Sequence, residues 1–194
     1  MTDSQPIETS IVLLTSRLCL STPRFSDAVD TAEEMTAEIH QWMLSWPFPM
    51  SKADAEQRIA RCQAEVARGE ALHFVLRGRD SDEFIGWTSS WRSARGRWRI
   101  GLWIAEPHQA RLLGSEAAST VIEWTENLIR PEAIDAAVSP DNDRSIALLK
   151  RLGMTEVGTE QIYVPGAKGA RPHLIMEKLL RTSRSAQFDR ASAA

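Results

Sequence analysis

Cysteine is scarce in this chain: Cys19 and Cys62 are the two cysteines among 194 residues. They stand far apart, with no CxxC pair and no Cys/His spacing that would suit zinc, and they cannot form the disulfide framework of a small secreted protein. We interpret both as small hydrophobic residues of the core, and we expect no bound metal. This usage excludes a disulfide-rich fold and is typical of a reducing compartment.

Long apolar runs and an excess of basic residues are also missing. No stretch approaches the ~18 apolar residues of a membrane-spanning helix, and the N-terminal MTDSQPIETS is polar and acidic, unlike a secretory signal. The formal net charge of -3 at pH 7 gives no sign of a basic surface for nucleic acid. We therefore expect a cytoplasmic protein whose partners include neither a membrane nor nucleic acid.

Hydrophobic residues make up 43% of the chain, which is enough for one substantial core. We expect a single domain over residues 1–180. The last segment, 181–194, has no hydrophobic periodicity, so it is predicted to be a disordered tail.

Periodicity in the first half predicts one strand, two helices and an antiparallel meander. The strand covers residues 11–20, the first helix runs from Phe25 to Trp42, and the second begins at a cap on Ser51 and ends at Gly69. Three strand-like runs joined by short polar links follow: ALHFVLRG, FIGWTSSW and WRIGLWIA.

The second half alternates helices with strands. A third helix is predicted from near Ser115, and its apolar face is formed by Ala117, Val121, Trp124 and Leu128. A strand at IDAAVSP, a helix in DNDRSIALLKRLGM that ends at Gly153, and two final strands follow. Helices separate parallel strands only in this half, so the fold class is α+β with a mixed sheet.

The sequence resembles the GCN5-related N-acetyltransferase (GNAT) superfamily, and in particular its Rim-type branch of ribosomal-protein N-terminal acetyltransferases. The similarity covers about Thr15 to Leu180 and rests on the order of TSRLCLSTPRFSDA, FIGWTSS, RIGLWIAEPHQARLLGSEA, NDRSIALLKRLGM and HLIMEKLL. The resemblance implies a GNAT-like, mixed and mostly antiparallel sheet with a splayed central strand pair and flanking helices. It also implies acetyl-CoA as a co-substrate.

The resemblance places the pyrophosphate of acetyl-CoA on the turn before the third helix. In the family, backbone N–H groups of this turn hold the anion, which the helix dipole also favours. The matching residues are Gln109, Ala110, Arg111, Leu112, Leu113, Gly114 and Ser115. Ala110 and Leu112 stand where glycines are common, so the Leu112 side chain must turn away for the backbone to reach a phosphate. Taken alone, the stretch fits an ordinary strand-to-helix corner better.

Further roles carried over from the family concern the cofactor arm and its sulfur. Main-chain groups of Trp103 and Ile104 would contact the pantetheine arm, and Asn142 would contact it from the helix start. Ser145 matches a Rim-branch serine that would hydrogen-bond the leaving thiolate, whereas Leu149 stands where many relatives carry a tyrosine acid. Helix capping explains Asn142 and Ser145 about as well.

The sequence offers several candidates for the general base and two for the residues that line the acceptor cleft. An α-amino group, with a pKa near ~8, needs little help from a base, whereas a lysine amine, near ~10.4, needs one. The candidate bases are Glu106, Glu116, His73, His108 and His173, and each also suits a surface or capping role. Trp42 and Trp46, beside the irregular PFPMS segment, are expected to line the acceptor cleft.

The function predicted is transfer of an acetyl group from acetyl-CoA to a primary amine, on a protein N-terminus or a small molecule. Without a nucleophile elbow, direct transfer in a ternary complex is the simpler mechanism. Two alternatives stay open: a catalytically degenerate GNAT-fold protein that senses a ligand or mediates an interaction, and an acetyltransferase for small amines or antibiotics. A homodimer is also compatible with the sequence.

Overall fold

A computed structural model describes residues 10–93, 96–164 and 169–180, and within them eight strands form one sheet. The predicted tail, 181–194, lies outside the described residues. The strands are β1 (Val12–Leu14), β2 (Leu18–Ser21), β3 (Ala71–Gly78), β4 (Phe84–Arg92), β5 (Trp98–Ile104), β6 (Ala133–Val138), β7 (Thr155–Val164) and β8 (Gly169–Leu179).

Strand order in the sheet is β1-β2-β3-β4-β5-β6-β8-β7. The β5–β6 pair is parallel, and the six other neighbouring pairs of described strands are antiparallel. The predicted antiparallel meander is confirmed as β3, β4 and β5. The α+β class and the mixed, mostly antiparallel sheet are therefore confirmed.

Helices cover both faces of the sheet. They are α1 (Ala28–Glu34), α2 (Ala37–His40), α3 (Lys52–Ala67), α4 (Leu113–Ile129) and α5 (Asp143–Arg151). The first three pack with Trp87 and Trp103 on one face, while α4 and α5 pack with Ile100 on the other. The described helices include none with the length and apolarity that a bilayer crossing requires.

Helix α3 follows its sequence closely. Ser51 and Asp54 form the expected capping box at its start, which satisfies backbone donors that the first turn leaves free. Its buried stripe is Ala55, Ile59, Cys62 and Val66. Full burial of an aliphatic side chain such as Ile59 contributes roughly 1.5–3 kcal/mol, so this stripe anchors the helix on the sheet.

The sheet opens between β5 and β6. The two strands are paired only at Trp98 with Ile134 and at Arg99 with Asp135. Beyond these pairs β5 runs on to Ile104 and β6 to Val138 without a ladder between them. The splayed central pair is confirmed, and it leaves a gap that passes through the sheet.

The first predicted strand is wrong as a single element, because it forms the hairpin of β1 and β2. Its turn is held from outside: the carboxylate of Glu116 on α4 accepts hydrogen bonds from Thr15, Ser16 and Arg17. The acceptor is about 100 residues away in the chain, so local periodicity carries no sign of the turn.

The first predicted helix is also divided. It begins as a 3-10 turn at Phe25–Asp27, continues as α1, breaks at Met35 and restarts as α2 with Thr36 as its N-cap. The Thr36 hydroxyl also donates to Glu106, which lies in the turn after β5. A tertiary contact therefore stabilises the break within an otherwise helical pattern.

Two burial expectations are wrong. Leu128 is 45% exposed, because the buried stripe of α4 runs instead through Val121, Ile122 and Thr125. Cys19 is only partly buried, because buried and partly buried side chains alternate along β2. Cys62 is buried as expected.

Candidate active site

A cleft of about 1090 Å³ occupies the gap between β5 and β6. Because the gap passes through the sheet, residues from both faces line it: Cys62 and Glu65 of α3 on one side, and Leu113 and Gly114 of α4 on the other. The predicted catalytic residue Ser145 lies on its wall, and so do all the predicted cofactor-binding residues: Trp103, Ile104, Gln109, Ala110, Arg111, Leu112, Leu113, Gly114, Ser115 and Asn142.

One end of the cleft is a run of free backbone donors. The consecutive N–H groups of residues 110–114 have no hydrogen-bond acceptor within the part of the chain that the structure describes. Leu113 and Gly114 are the first two residues of α4, so their N–H groups lie at the positive end of the helix dipole. Such a run of donors at a helix start is suited to binding an anion.

The turn adopts a glycine-like conformation without glycine. Ala110 has φ +59° and Leu112 has φ +61°, both in the left-handed region. Alternating left-handed residues turn successive N–H groups toward one point and so form an anion-binding nest. The Leu112 side chain is 56% exposed at the cleft mouth, so it is not packed beneath the turn. The sequence therefore keeps the geometry that glycines would give, at some backbone cost.

Gly114 lies in a closely packed position. A Cβ at this position would lie 3.0 Å from Leu102 Cδ1 and 3.1 Å from Leu148 Cδ1. Its absence lets the start of α4 approach β5 and α5 closely. Next to it, Ser115 also lines the cleft, and its buried hydroxyl has no hydrogen-bond partner among the described residues.

Gln109, in the turn before α4, connects the end of β5 with the start of α5. Its side-chain amide donates to the Ile104 carbonyl at the end of β5, 3.0 Å away, and its oxygen accepts from Arg144 on α5 at 3.0 Å. The carbonyl oxygen of Trp103 lies against Gly86 of β4, and its buried indole nitrogen has no partner within the described ranges. The contact of Trp103 with the pantetheine arm stays a prediction.

The start of α5 forms the opposite wall. Asn142 is its N-cap and accepts from the backbone N–H of Ser145 at 3.0 Å, which confirms the capping expectation. The other roles of Asn142 and Ser145 stay predictions. Leu149 is 4% exposed in the core, so no proton donor replaces the family's tyrosine at that spacing. Arg144, which sequence reasoning missed although it lies in NDRS, brings a positive charge to the anion end.

Of the five candidate bases, three line the cleft and two do not. Glu116 forms an ion pair with Arg17 at 2.6 Å and supports the β1–β2 turn, and His173 on β8 bonds the Arg171 carbonyl at 3.1 Å. Glu106 and His108 line the cleft beside the anion end, where Glu106 accepts from Thr36. His73 also lines the cleft, from β3.

His73 is part of a hydrogen-bonded array that the sequence did not indicate. Its Nδ1 is 2.8 Å from Ser89 Oγ, and its Nε2 is 2.8 Å from Glu65 Oε2. The hydrogen bond from His73, with help from Arg61, lowers the pKa of Glu65 to about 2. Glu65 and Ser89 belong to no local motif, so only the pairing of β3 with β4 and the packing of α3 unite them.

The same region offers three metal-ligand types. Donor atoms of Cys62, Glu65 and His73 lie within 4.8 Å of one another. The Glu65 carboxylate, however, already accepts from His73 and from Arg61, the latter at 2.7 Å. Burial raises the pKa of the Cys62 thiol to about 11, so it is not a ready thiolate ligand. We interpret this cluster as a hydrogen-bonded network, and the absence of a metal stays a prediction.

The two tryptophans predicted for the acceptor wall both line the cleft but differ in packing. Trp42 is 38% exposed. Trp46 makes edge contacts with Trp87 and Trp103, with ring centroids 5.3 and 5.6 Å apart, and the Arg58 guanidinium lies 4.2 Å from its ring. Trp42 is therefore free to contact an acceptor, whereas Trp46 is part of the cleft floor.

Comparison with known proteins identifies relatives of this chain. The family model described as "Acetyltransferase (GNAT) domain" matches residues 17–155. A relative named "Uncharacterized N-acetyltransferase p20", from Bacillus licheniformis, is 28% identical over 173 residues, which are 87% of this chain and 96% of that protein.

Solved structures share the fold. The ribosomal-protein-S5-alanine acetyltransferase from Vibrio fischeri superposes with a TM-score of 0.74 at 20% identity, covering 87% of this chain and 96% of that one. RimJ of Mycobacterium smegmatis, in complex with CoA-disulfide, gives a TM-score of 0.72 at 22% identity, covering 84% and 81% of the two chains. At these identities the likeness concerns the fold.

Proposed function

This chain belongs to the GNAT acetyltransferase family and is an acetyl-CoA-dependent N-acetyltransferase, and we propose that it acetylates a primary amine by direct transfer. The acceptor we propose is the α-amino group at the N-terminus of a protein. The observation that carries the proposal is the cleft at the β5–β6 gap, which ends at the free N–H groups of residues 110–114.

The cleft fits acetyl-CoA at its anion end. The free N–H groups would hold the pyrophosphate, and the side chains of Arg111 and Arg144 would add positive charge beside it. The unpaired edge of β5 beyond Arg99 would offer main-chain groups to the pantetheine arm. When bound there, acetyl-CoA supplies the acetyl group as an activated thioester.

Side chains at the start of α5 would serve the reacting end. Ser145 is partly buried on the cleft wall in the first turn of α5, and we place its hydroxyl beside the sulfur. A hydroxyl in that place would donate a hydrogen bond to the developing thiolate. The side-chain amide of Asn142 keeps its N–H donors for the cofactor arm, because its oxygen serves as the cap.

A protein N-terminus is the acceptor that the observations favour. An α-amino group has a pKa near ~8 and is partly neutral at pH 7, so it needs less assistance than a lysine amine. One of the fold neighbours is named for an acceptor of this class, a ribosomal protein, and we extend that class to this chain as part of the proposal. We also propose that residues 1–180 form one domain that works in the cytoplasm.

Titration calorimetry with acetyl-CoA tests the cofactor half of this proposal. Micromolar binding is expected, and no binding at millimolar acetyl-CoA would refute it. A screen of CoA thiol release with peptides that begin with Ala, Ser or Met, beside spermidine and an aminoglycoside, tests the acceptor half. Turnover on the small amines alone would refute the protein acceptor, and binding without any turnover would favour a sensing role.

A further inference from the structure

Three residues stand in one row across the sheet and lead to the gap. His73 on β3 is paired with Ser89 on β4, and Ser89 is paired with Gly101 on β5. Directly opposite residues in adjacent strands present their side chains on the same face. Gly101 lies two residues beyond Arg99, the last residue of β5 that is paired with β6. The row therefore ends where the sheet opens.

Glycine at the end of the row leaves room for the ring of Trp91, which also lines the cleft. Gly101 contributes no side chain, and the nearest atoms to a Cβ placed there belong to the ring of Trp91. Ser89 is partly buried and lines the cleft, whereas His73 behind it is only 5% exposed. An acceptor in the cleft would therefore meet the hydroxyl of Ser89 first, and His73 only through it.

The hydrogen bonds fix how protons are arranged in the array. An ionised carboxylate can only accept, so Nε2 of His73 donates to Glu65. In the neutral imidazole, Nδ1 then has a lone pair and accepts the hydrogen of the Ser89 hydroxyl, 2.8 Å away. His73 is thus held as the tautomer that can take a proton from Ser89.

One of the groups that face His73 carries a negative charge. From α3 these are Glu65, whose pKa is lowered to about 2 mainly by the hydrogen bond from His73, and the Cys62 thiol, whose pKa burial raises to about 11. Arg61 pairs with Glu65 at 2.7 Å and is largely exposed. From β4 the group is the neutral Ser89 hydroxyl. Glu65 is therefore ionised, and Cys62 neutral, at neutral pH.

We propose that Ser89, His73 and Glu65 form a proton relay that removes a proton from the amine acceptor, with Ser89 as the catalytic residue that contacts it. The relay rests on the proposed function and adds the base that this function needs. His73 is the terminal proton acceptor, acting through Ser89. Glu65 is a positioning residue that fixes the tautomer of His73 and stabilises its imidazolium form.

The proton balance is complete without a further reactant. Acetylation of an ammonium group by a thioester yields an amide, a thiol and one proton. In the relay, an N–H bond of the ammonium breaks as its proton passes to Ser89 Oγ, and the hydroxyl's own proton passes to His73 Nδ1. The amine becomes a neutral nucleophile, imidazole becomes imidazolium, and that proton later leaves to solvent. Such assistance typically raises a rate by about 10²–10⁴-fold.

Kinetics of three variants test the relay, with peptides that begin with Ala or Ser as acceptors. His73→Gln should lower kcat/KM on the order of 100-fold. Ser89→Ala should lower it similarly, and Ser89→Thr, which keeps a hydroxyl, should restore part of it. The acetyl-CoA Kd should stay within twofold in all of them, since none of these residues is assigned to the cofactor. A drop of less than threefold in both His73→Gln and Ser89→Ala would overturn the proposal.

Glu65→Gln gives a readout that a purely structural role would not move. Glutamine still accepts from Nε2, but it lacks the charge that stabilises the imidazolium, so the acid limb of kcat/KM should shift to lower pH than in the wild type. The amine of the peptide is common to both profiles and cancels in the comparison. An unchanged limb, in a variant that is active and folded, would overturn the role of Glu65.

Two measurements distinguish failure of the relay from failure of the proposed function. Imidazole nitrogen NMR of the whole chain should show His73 with its hydrogen on Nε2, whether or not an acceptor is found, and hydrogen on Nδ1 in the neutral ring would overturn the relay. Mass spectrometry after incubation with acetyl-CoA should show unmodified Ser89, and an acetyl adduct there would replace the relay by covalent catalysis. Failure of the wild type to bind acetyl-CoA would instead refute the proposed function.

Discussion

Arg99 and Asp135 form a two-point salt bridge at the last residue pair that β5 and β6 share. Nε of Arg99 lies 2.7 Å from Oδ1 of Asp135, and Nη2 lies 3.0 Å from Oδ2. Asp135 is 1% exposed, so neither charge could be left alone without a large desolvation penalty. The pair fixes the point at which the sheet stops pairing and the cleft begins.

Asp135→Asn should destabilise the protein by about 3–5 kcal/mol, because it removes the buried one of the two carboxylates that contact the Arg99 guanidinium. Chemical denaturation at pH 7 measures this free energy of unfolding. Glu160→Gln is the matched control, since Glu160 contacts the same guanidinium at 3.4 Å from a partly exposed position, and should cost less than about 1 kcal/mol. Equal losses in the two variants would contradict a special role for Asp135.

Leu112 supplies a test of the anion turn. Leu112→Gly should leave the acetyl-CoA Kd unchanged or lower it, because glycine adopts φ +61° freely. Leu112→Val should raise the Kd about tenfold, equivalent to about 1.4 kcal/mol, because a β-branched residue resists this conformation and displaces the free N–H groups. Titration calorimetry compares the two. A valine variant that is folded and binds like the wild type would show that the turn does not hold the cofactor.

Ser145→Ala should lower kcat and leave the acetyl-CoA Kd within twofold, since the proposed hydrogen bond forms only as the thiolate develops. Steady-state kinetics with a saturating peptide acceptor measures this. The contrasting variant is Asn142→Ala, which removes the cap on the Ser145 N–H and should lower the free energy of unfolding by about 1 kcal/mol. An unchanged kcat in Ser145→Ala would reduce Ser145 to a residue of the first helical turn.

Trp42→Ala should raise the KM for a peptide acceptor while stability and the acetyl-CoA Kd stay close to those of the wild type. The reason is that Trp42 is partly exposed on the cleft wall. Trp46→Ala should instead destabilise the fold by about 3–5 kcal/mol, because Trp46 packs against Trp87 and Trp103. Kinetics and thermal unfolding separate the two effects, and an unaffected acceptor KM in Trp42→Ala would remove Trp42 from the acceptor site.

Glu65 should make stability depend on pH in the acid range. Hydrogen bonds from His73 and Arg61 lower its pKa in the folded protein from 4.5 to about 2. A lowered folded-state pKa gives stability that is present above pH 4.5 and is lost as the pH falls toward 2. The excess stability of the wild type over Glu65→Gln should therefore shrink from pH 6 to pH 3 in urea unfolding. Glu156→Gln, at an exposed position on β7, is the control and should show a smaller change.

Local patterns predicted much of the fold because their causes are local. The Ser51–Asp54 capping box, the Asn142 cap of α5 and the left-handed Gly153 depend on residues within a few positions of one another. The meander of β3 to β5 joins strands that follow one another in the chain through short links. The hairpin turn at Thr15–Arg17 and the break at Met35 were missed, because Glu116 and Glu106 stabilise them from distant parts of the chain.

The sequence by itself determined the α+β class, the order of the strands and helices from α3 onward, and the turn that begins α4. Tertiary structure alone decided that Ala110 and Leu112 adopt left-handed conformations, since propensity disfavours them there and packing of α4 against β5 must compensate. It also decided that Glu65, His73 and Ser89 meet, because strand register and helix packing act between residues that no local spacing relates.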